Sequence, residues 1–299
     1  MINCIKKTGL IASIVLASGL FIYGVSDSKA VNAAGATKEH YFPTQIDFAG
    51  ENTPLNIADV RERLDRELLV NANLDATTRI IIKRANRAFP VIEPILAKYG
   101  VPDDFKYLAV IESGLVNAVS PAGARGVWQF MPATGKEYAL EINDNVDERY
   151  HLEKSTEAAC KYLLKAKEKF GSWTLAAASY NGGVAGVNNQ ITFQGVGNYY
   201  DLLLTEETSR YVFRILALKE IMQNQQRYGF NLLESELYPV IPTKTVEVTT
   251  SIPDLAIWAK EQGINYKILK IHNPWLRDRS LENKNGKKYI IEIPLKGYN

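Results

Sequence analysis

Phe105, Leu108, Ala109 and Glu112 fall at i, i+3, i+4 and i+7, so a carboxylate continues the apolar face of a helix instead of joining its solvated side. Ser113-Gly114 stops that helix, which puts Glu112 in its last turn. There the negative end of the helix dipole and desolvation both favour the protonated carboxyl, so its pKa is expected above the ordinary carboxylate range. A carboxyl that keeps its proton near neutral pH is what general acid catalysis needs. A glutamate bent out to water at the helix end is the competing reading of the same spacing.

A turn dense in small residues follows, Ser120-Pro121-Ala122-Gly123-Ala124-Arg125-Gly126-Val127-Trp128-Gln129-Phe130-Met131-Pro132. Its glycines let a ligand approach the backbone closely. Trp128 offers a flat apolar face of the kind that packs on a sugar ring, and Gln129 offers a donor and an acceptor to hydroxyl or N-acetyl groups. Met131, next to last in the run, is grouped with them as substrate-binding. A tight structural turn around a buried Trp128 is the alternative. Ser179-Tyr180-Asn181-Gly182-Gly183 repeats this chemistry at a helix end, where a plain helix stop competes, and Tyr211 sits in a helical pattern that suits a core tyrosine.

Other chemistries lack parts. Three histidines, His40, His151 and His272, and two cysteines, Cys4 and Cys160, supply neither a tetrahedral metal site nor a disulfide framework, so no metal and no cofactor is expected. Cys160 follows Ala158-Ala159 in a helical pattern and reads as a small buried apolar group. With 35 basic against 33 acidic residues and a net charge of +2, the chain has no footprint for phosphate backbones, and nucleic acid is excluded as a partner.

The elements that must position these groups divide the 299 residues into five stretches. Lys6 and Lys7, an apolar run over 9–25, and small residues up to Ala36 have the layout of a secretory signal over 1–36, with an uncleaved membrane anchor as the rival. Both readings export the rest. Residues 37–56 carry Pro43, Gly50 and Pro54 without a sustained period and read as an extended lead-in. Helical spacing then runs from Ile57 through Val60, Leu64 and Leu68, and over about 75–98, where Pro90 and Pro94 should interrupt it. Further helices are expected at 153–169, 173–180 and 207–228, with no alternating strand pattern, so residues 57–235 form an α-domain. Pro239 and Pro242 mark a linker over 236–243. Beyond it the period changes: strands around Val246 and Val248 and around Tyr289, Ile291 and Ile293 bracket two helical stretches, a β-α-α-β module over 244–294.

Glu112-Ser113, the Gly-Ala-x-Gly-x-x-Gln run from Gly123 to Gln129, Tyr180-Asn181-Gly182 and Tyr211, in this order, resemble the motifs of the lytic transglycosylases with a goose-type lysozyme fold. The resemblance covers roughly residues 55–230 and implies a mainly α, lysozyme-like catalytic domain. By it Glu112 is the sole catalytic acid/base, Ser120 and Gln129 contact the sugar strand, and Tyr180, Asn181 and Tyr211 line the cleft. The C-terminal module resembles a LysM domain in its element order and in Asn273-Pro274, while Ser251-Ile252-Pro253-Asp254-Leu255 stands in place of the usual Gly-Asp-Thr/Ser-Leu start. Trp258, Tyr266 and Trp275 could contact glycan there, although core packing is the better reading in so small a module.

The activity this implies is non-hydrolytic cleavage of peptidoglycan glycan strands between N-acetylmuramic acid and N-acetylglucosamine, leaving 1,6-anhydro ends, by an enzyme exported to the bacterial cell envelope. A single glutamate serves as acid and then as base, unlike the two-carboxylate plan of most glycosidases. No acidic residue stands between Glu112 and Glu137, but the fold could bring Glu141, Asp144 or Asp147 near, which leaves a hydrolytic muramidase as one rival. A catalytically idle cell-wall-binding protein is the other. The module is expected to fold independently and to tether the enzyme to its polymer.

Overall fold

A computed structural model describes residues 41–298, so the export signal read at 1–36 lies outside the described residues. The larger part is a helical domain built around α8 (Glu206–Gln223), which buries residues on nearly every side, Tyr211, Phe213, Ile215, Leu216 and Leu218 among them. Burial around most of its circumference, with Lys219 and Glu220 included, places this helix inside its domain. Against it pack α1 (Ala58–Asn73), α3 (Lys106–Ser113) and α6 (Trp173–Gly182). The outer layer is α2 (Asp75–Tyr99) and α5 (Leu152–Phe170), with α4 (Pro132–Glu137) and α7 (Val184–Gln194) as shorter pieces. Val60, Leu64 and Leu68 form the buried stripe of α1, and Ile81, Ile82, Ala85, Ala88, Ile92 and Leu96 that of α2. No helix among the described residues is long and apolar enough to cross a membrane.

Pro90 and Pro94 do not interrupt α2, which runs unbroken to Gly100 in the left-handed conformation. Both prolines are exposed and lie four residues apart, on the side away from Ala88, Ile92 and Leu96. The carbonyls they leave without a helical partner therefore face water, which solvates them.

The described part of the stretch read as an extended lead-in, residues 41–56, is folded. β1 (Asp47–Phe48) and β2 (Glu51–Asn52) form a hairpin whose turn, Ala49-Gly50, has φ of 54° and 78° at its two residues. Phe48 is fully buried and meets Phe105 edge-on at 5.0 Å. Glu51 accepts from the backbone N–H of Trp173 (2.6 Å) and Thr174 (2.9 Å) and from the hydroxyls of Ser172 and Thr174, so it caps the start of α6. Burial works to raise its pKa, yet these bonds hold it down at about 2.

The linker lies against α2: Tyr238 N–H donates to the Lys83 carbonyl, and the Asn86 and Arg87 side chains donate to the Tyr238 and Pro239 carbonyls. After it, β3 (Thr243–Val248) pairs antiparallel with β4 (Tyr289–Pro294), from Thr243 opposite Pro294 to Val248 opposite Tyr289. Between the strands lie α9 (Leu255–Glu261), capped by Asp254, and α10 (Tyr266–His272), capped by Asn265. Asn273 is fully buried and its amide holds α10 to β4, donating to the Leu269 and Glu292 carbonyls and accepting from Glu292 N–H. The core of this module, around Leu255, Leu269, Leu276, Leu281 and Ile291, includes two residues from the helical domain, Val146 and Tyr150.

Candidate active site

Glu112 occupies the last turn of α3, which ends at Gly114 in the left-handed conformation. Its carboxylate is only partly exposed, and Tyr211, buried in α8, donates its hydroxyl to Oε1. Desolvation drives the pKa of Glu112 up from the ordinary 4.5 to about 7, against the Tyr211 hydrogen bond and the positive charge of Arg214, and Glu207 adds a further push upward. The carboxyl therefore keeps its proton to a much higher pH than an ordinary glutamate does. Tyr180 and Tyr211 are pushed well above 10 by burial and by the neighbouring Glu112, so both phenols remain neutral hydrogen-bond donors.

The glycine-rich loop over 118–131 closes on itself through short bonds. Ser120 N–H donates to the Ala124 carbonyl and its hydroxyl accepts from Ala124 N–H, both at 2.9 Å, while Gly126 N–H donates to the Ala118 carbonyl at 3.0 Å. Gly126 has φ of 85° and faces the Arg149 carbonyl so closely that a Cβ there would stand 1.8 Å from the oxygen. Only glycine fits. Ser113 Oγ donates to the Val127 carbonyl at 2.8 Å, which fastens the loop to the turn that carries Glu112. Gln129 sits at φ of 50°, and its side-chain amide nitrogen donates to the Ala118 (3.2 Å) and Gly126 (2.7 Å) carbonyls. Those bonds commit both hydrogens of the amide, so its oxygen is the group left for a ligand.

Tyr180 and Asn181 come from the end of α6. Tyr180 donates its hydroxyl to the Trp128 carbonyl at 2.7 Å and packs edge-on against Phe130 and Tyr162. Asn181 accepts from the Thr208 hydroxyl at 2.7 Å and donates to the Glu207 carboxylate at 3.0 Å, which ties it to the start of α8. Met131 is half-buried just before α4.

Trp128 is not where its flat face could meet a sugar. It has no exposed surface, and its indole N–H donates to the Thr156 hydroxyl at 2.8 Å. It acts from beneath, through a backbone carbonyl that receives Tyr180. The possible second carboxylates are likewise engaged elsewhere. Asp147 is buried and grips Arg149 through two bonds of 2.9 and 2.7 Å. Glu141 pairs with Lys287 and accepts from Tyr289, and Asp144 lines a polar cavity of about 710 Å³ beside Glu282 and Lys284. Among the described residues no group of three His, Cys, Asp or Glu side chains is placed to hold a metal ion.

Two charged neighbours of Glu112 escape the motif reading, Glu207 and Arg214. They stand four residues before and three after Tyr211, the spacing that brings residues onto one helix face, so the position of Tyr211 was the signal that could have found them. Arg214 also donates to the Ile111 carbonyl at 3.1 Å, next to the catalytic candidate.

Residues 90–201 match the family model of the transglycosylase SLT domain, and residues 244–297 that of the soluble lytic transglycosylase C-terminal LysM-like domain. Two curated relatives are named membrane-bound lytic murein transglycosylase D, from Escherichia coli strain K12 and from Escherichia coli O6:H1 strain CFT073. Each is 32% identical to this chain over 259 residues, 83% of this chain and 55% of the relative. The chain thus spans about half the length of the curated relatives it matches. Glu207, Tyr211 and Arg214 lie beyond the end of the SLT match.

Proposed function

From a chain that carries a transglycosylase SLT domain followed by a LysM-like domain, we infer a lytic transglycosylase that cleaves the bond between N-acetylmuramic acid and N-acetylglucosamine in peptidoglycan. The observation that carries this reading is a desolvated carboxyl, its pKa raised to about 7, held by Tyr211 at the edge of a loop that presents Gln129. With Tyr211 donating to Oε1, Oε2 is the proposed seat of the Glu112 proton. That proton passes to the glycosidic oxygen as the bond to C1 breaks. The resulting carboxylate then takes a proton from the muramoyl 6-hydroxyl, whose oxygen closes onto C1 to give the 1,6-anhydro end. Glu112 ends the cycle protonated, and no water is consumed. Ser120, Gln129, Met131 and Asn181 are proposed to contact the strand, with Tyr180 and Tyr211 holding the cleft from the sides and Trp128 supporting it from below.

The envelope is the proposed site of action, because residues 1–36 have the layout of an export signal. In the LysM-like module, a groove of about 460 Å³ along β3 and α9, walled by Thr249, Thr250, Ser251 and the half-buried Trp258, is the proposed seat for glycan. Trp275 is buried and belongs to the core instead.

Muropeptides released from purified sacculi test the reaction. Mass spectrometry should find anhydro ends, one water lighter than reducing ends. Reducing ends alone would assign the chain to hydrolysis, with Glu207 as the first carboxylate to examine.

A further inference from the structure

The LysM-like module reaches the glycine-rich loop through an unbroken set of contacts. Residues 145–147 and 275–277 form an antiparallel bridge: Asp147 N–H donates to the Trp275 carbonyl at 2.9 Å, Arg277 N–H donates to the Asn145 carbonyl at 2.7 Å, and Val146 lies opposite Leu276. Around the bridge, the Trp275 ring is stacked between His151 and Tyr289 at 5.7 Å on each side, and the Arg277 guanidinium lies 4.2 Å over Tyr150. The bridged segment leads directly into the ion pair of Asp147 with Arg149, both 3% exposed or less. Arg149 in turn donates to the carbonyls of Gly123 (3.1 Å) and Phe130 (3.2 Å), the two ends of the turn that presents Gln129. The backbone of Arg149 also forms the wall against which Gly126 closes.

We propose that Trp275, together with the 275–277 edge it anchors, is a positioning element of the catalytic cleft, acting through Asp147 and Arg149 on the loop over 123–130. This deepens the transglycosylase reading and rests on it. A module that only tethered the enzyme to its polymer would need neither a backbone bridge to the helical domain nor two of that domain's residues inside its own core. Arg149 can hold two carbonyls at once only while Asp147 fixes its guanidinium, and the backbone of Asp147 is bonded to the module. Glu112, Tyr211 and Arg214 make none of these bonds, and the loop meets the Glu112 turn through Ser113, so the effect falls on substrate placement more than on the proton of Glu112.

The test uses the full chain with Trp275→Ala, and Lys287→Ala as a milder variant that removes the pairing with Glu141 and Glu148. Amide hydrogen exchange without substrate should quicken on the order of tenfold at 123–130 in Trp275→Ala while α1 and α8 keep their protection. On short soluble glycan strands kcat/KM should fall on the order of tenfold, chiefly through KM, with the pH midpoint unmoved. Lys287→Ala should shift both readouts the same way by a smaller factor. If Trp275→Ala melts early and exchanges everywhere, the Lys287→Ala pair of readouts decides. Unchanged exchange at 123–130, or a loss on insoluble sacculi with none on soluble strands, overturns the proposal. The exchange readout needs no turnover, so it stands or falls separately from the assignment of the reaction.

Discussion

Replacing Glu112 with Gln should stabilise the protein at high pH while removing its activity, two effects with one cause. In the unfolded chain a glutamate gives up its proton near 4.5, whereas in the fold Glu112 holds it to about 7. Below pH 4.5 both states are protonated and the residue makes no pH-dependent contribution. Between 4.5 and 7 the unfolded state sheds its proton and the folded state does not, so stability falls as pH rises, by about 1.4 kcal/mol per pH unit. Above 7 the loss levels off at roughly 3 kcal/mol, the cost of holding the anion in a site that desolvates it. Glutamine keeps the shape and can still accept from Tyr211, but it never titrates. Urea unfolding of both proteins at pH 5, 7 and 9 should show the variant gaining on wild type between pH 5 and 7 and then holding the gain, reaching roughly 3 kcal/mol. Turnover should fall by at least the 10²–10⁴-fold or so ascribed to a general acid. A stability difference that is the same at all three pH values would refute the buried-acid reasoning, and a variant that keeps a tenth of wild-type turnover would remove Glu112 from the reaction.

Tyr211→Phe deletes the hydrogen bond that lowers the pKa of Glu112, so the alkaline midpoint of the pH–rate profile should move above 7 while kcat falls on the order of 10- to 100-fold from lost orientation. A midpoint that stays put or moves down contradicts the assigned bond. Glu51→Gln removes a carboxylate held near 2 that caps α6, with a side chain 29% exposed. A depressed pKa stabilises above the unfolded value and loses that contribution as pH falls, so wild type should lose roughly 2–3 kcal/mol between pH 4.5 and 2 that the variant lacks already at neutral pH. Acid titration of both proteins, followed by circular dichroism, checks it.

What could be read from the residues alone depended on how far each feature reached along the chain. α1 and α2 were legible because Val60, Leu64, Leu68, Ile81, Ala85, Ala88 and Ile92 repeat with the helical period. The prolines misled because the period says which face is buried, and a proline on the opposite face costs a bond to water and not the helix. The hairpin over 47–52 has two-residue strands, too short to show any alternation. α7 buries only Val187, so it presents no apolar stripe to detect. Among the candidate site residues, Glu112 was marked by continuing an apolar face, and Gln129, Tyr180, Asn181 and Tyr211 by their order. Trp128 was misplaced because residue type tells what a ring can do and not which way it turns. The docking of the module was invisible, since nothing near Trp275 hints at His151 or Asp147.

The hydrogen bond between Tyr211 and Glu112 joins residues 99 positions apart, and Arg210 reaches back 143 positions to Glu67 at 2.7 Å. Both depend on α8, the last α-helix of the domain in chain order and the one packed at its centre. During synthesis, every earlier helix must therefore wait for residues 206–223 to leave the ribosome before the core can close. A chain cut short before that point carries Glu112, Gln129 and Tyr180 but has neither the phenol that fixes the acid nor the walls that dry it. The candidate site is thus assembled late and all at once, and a chain cut short before residue 206 leaves the Glu112 carboxyl without the surroundings that set its protonation.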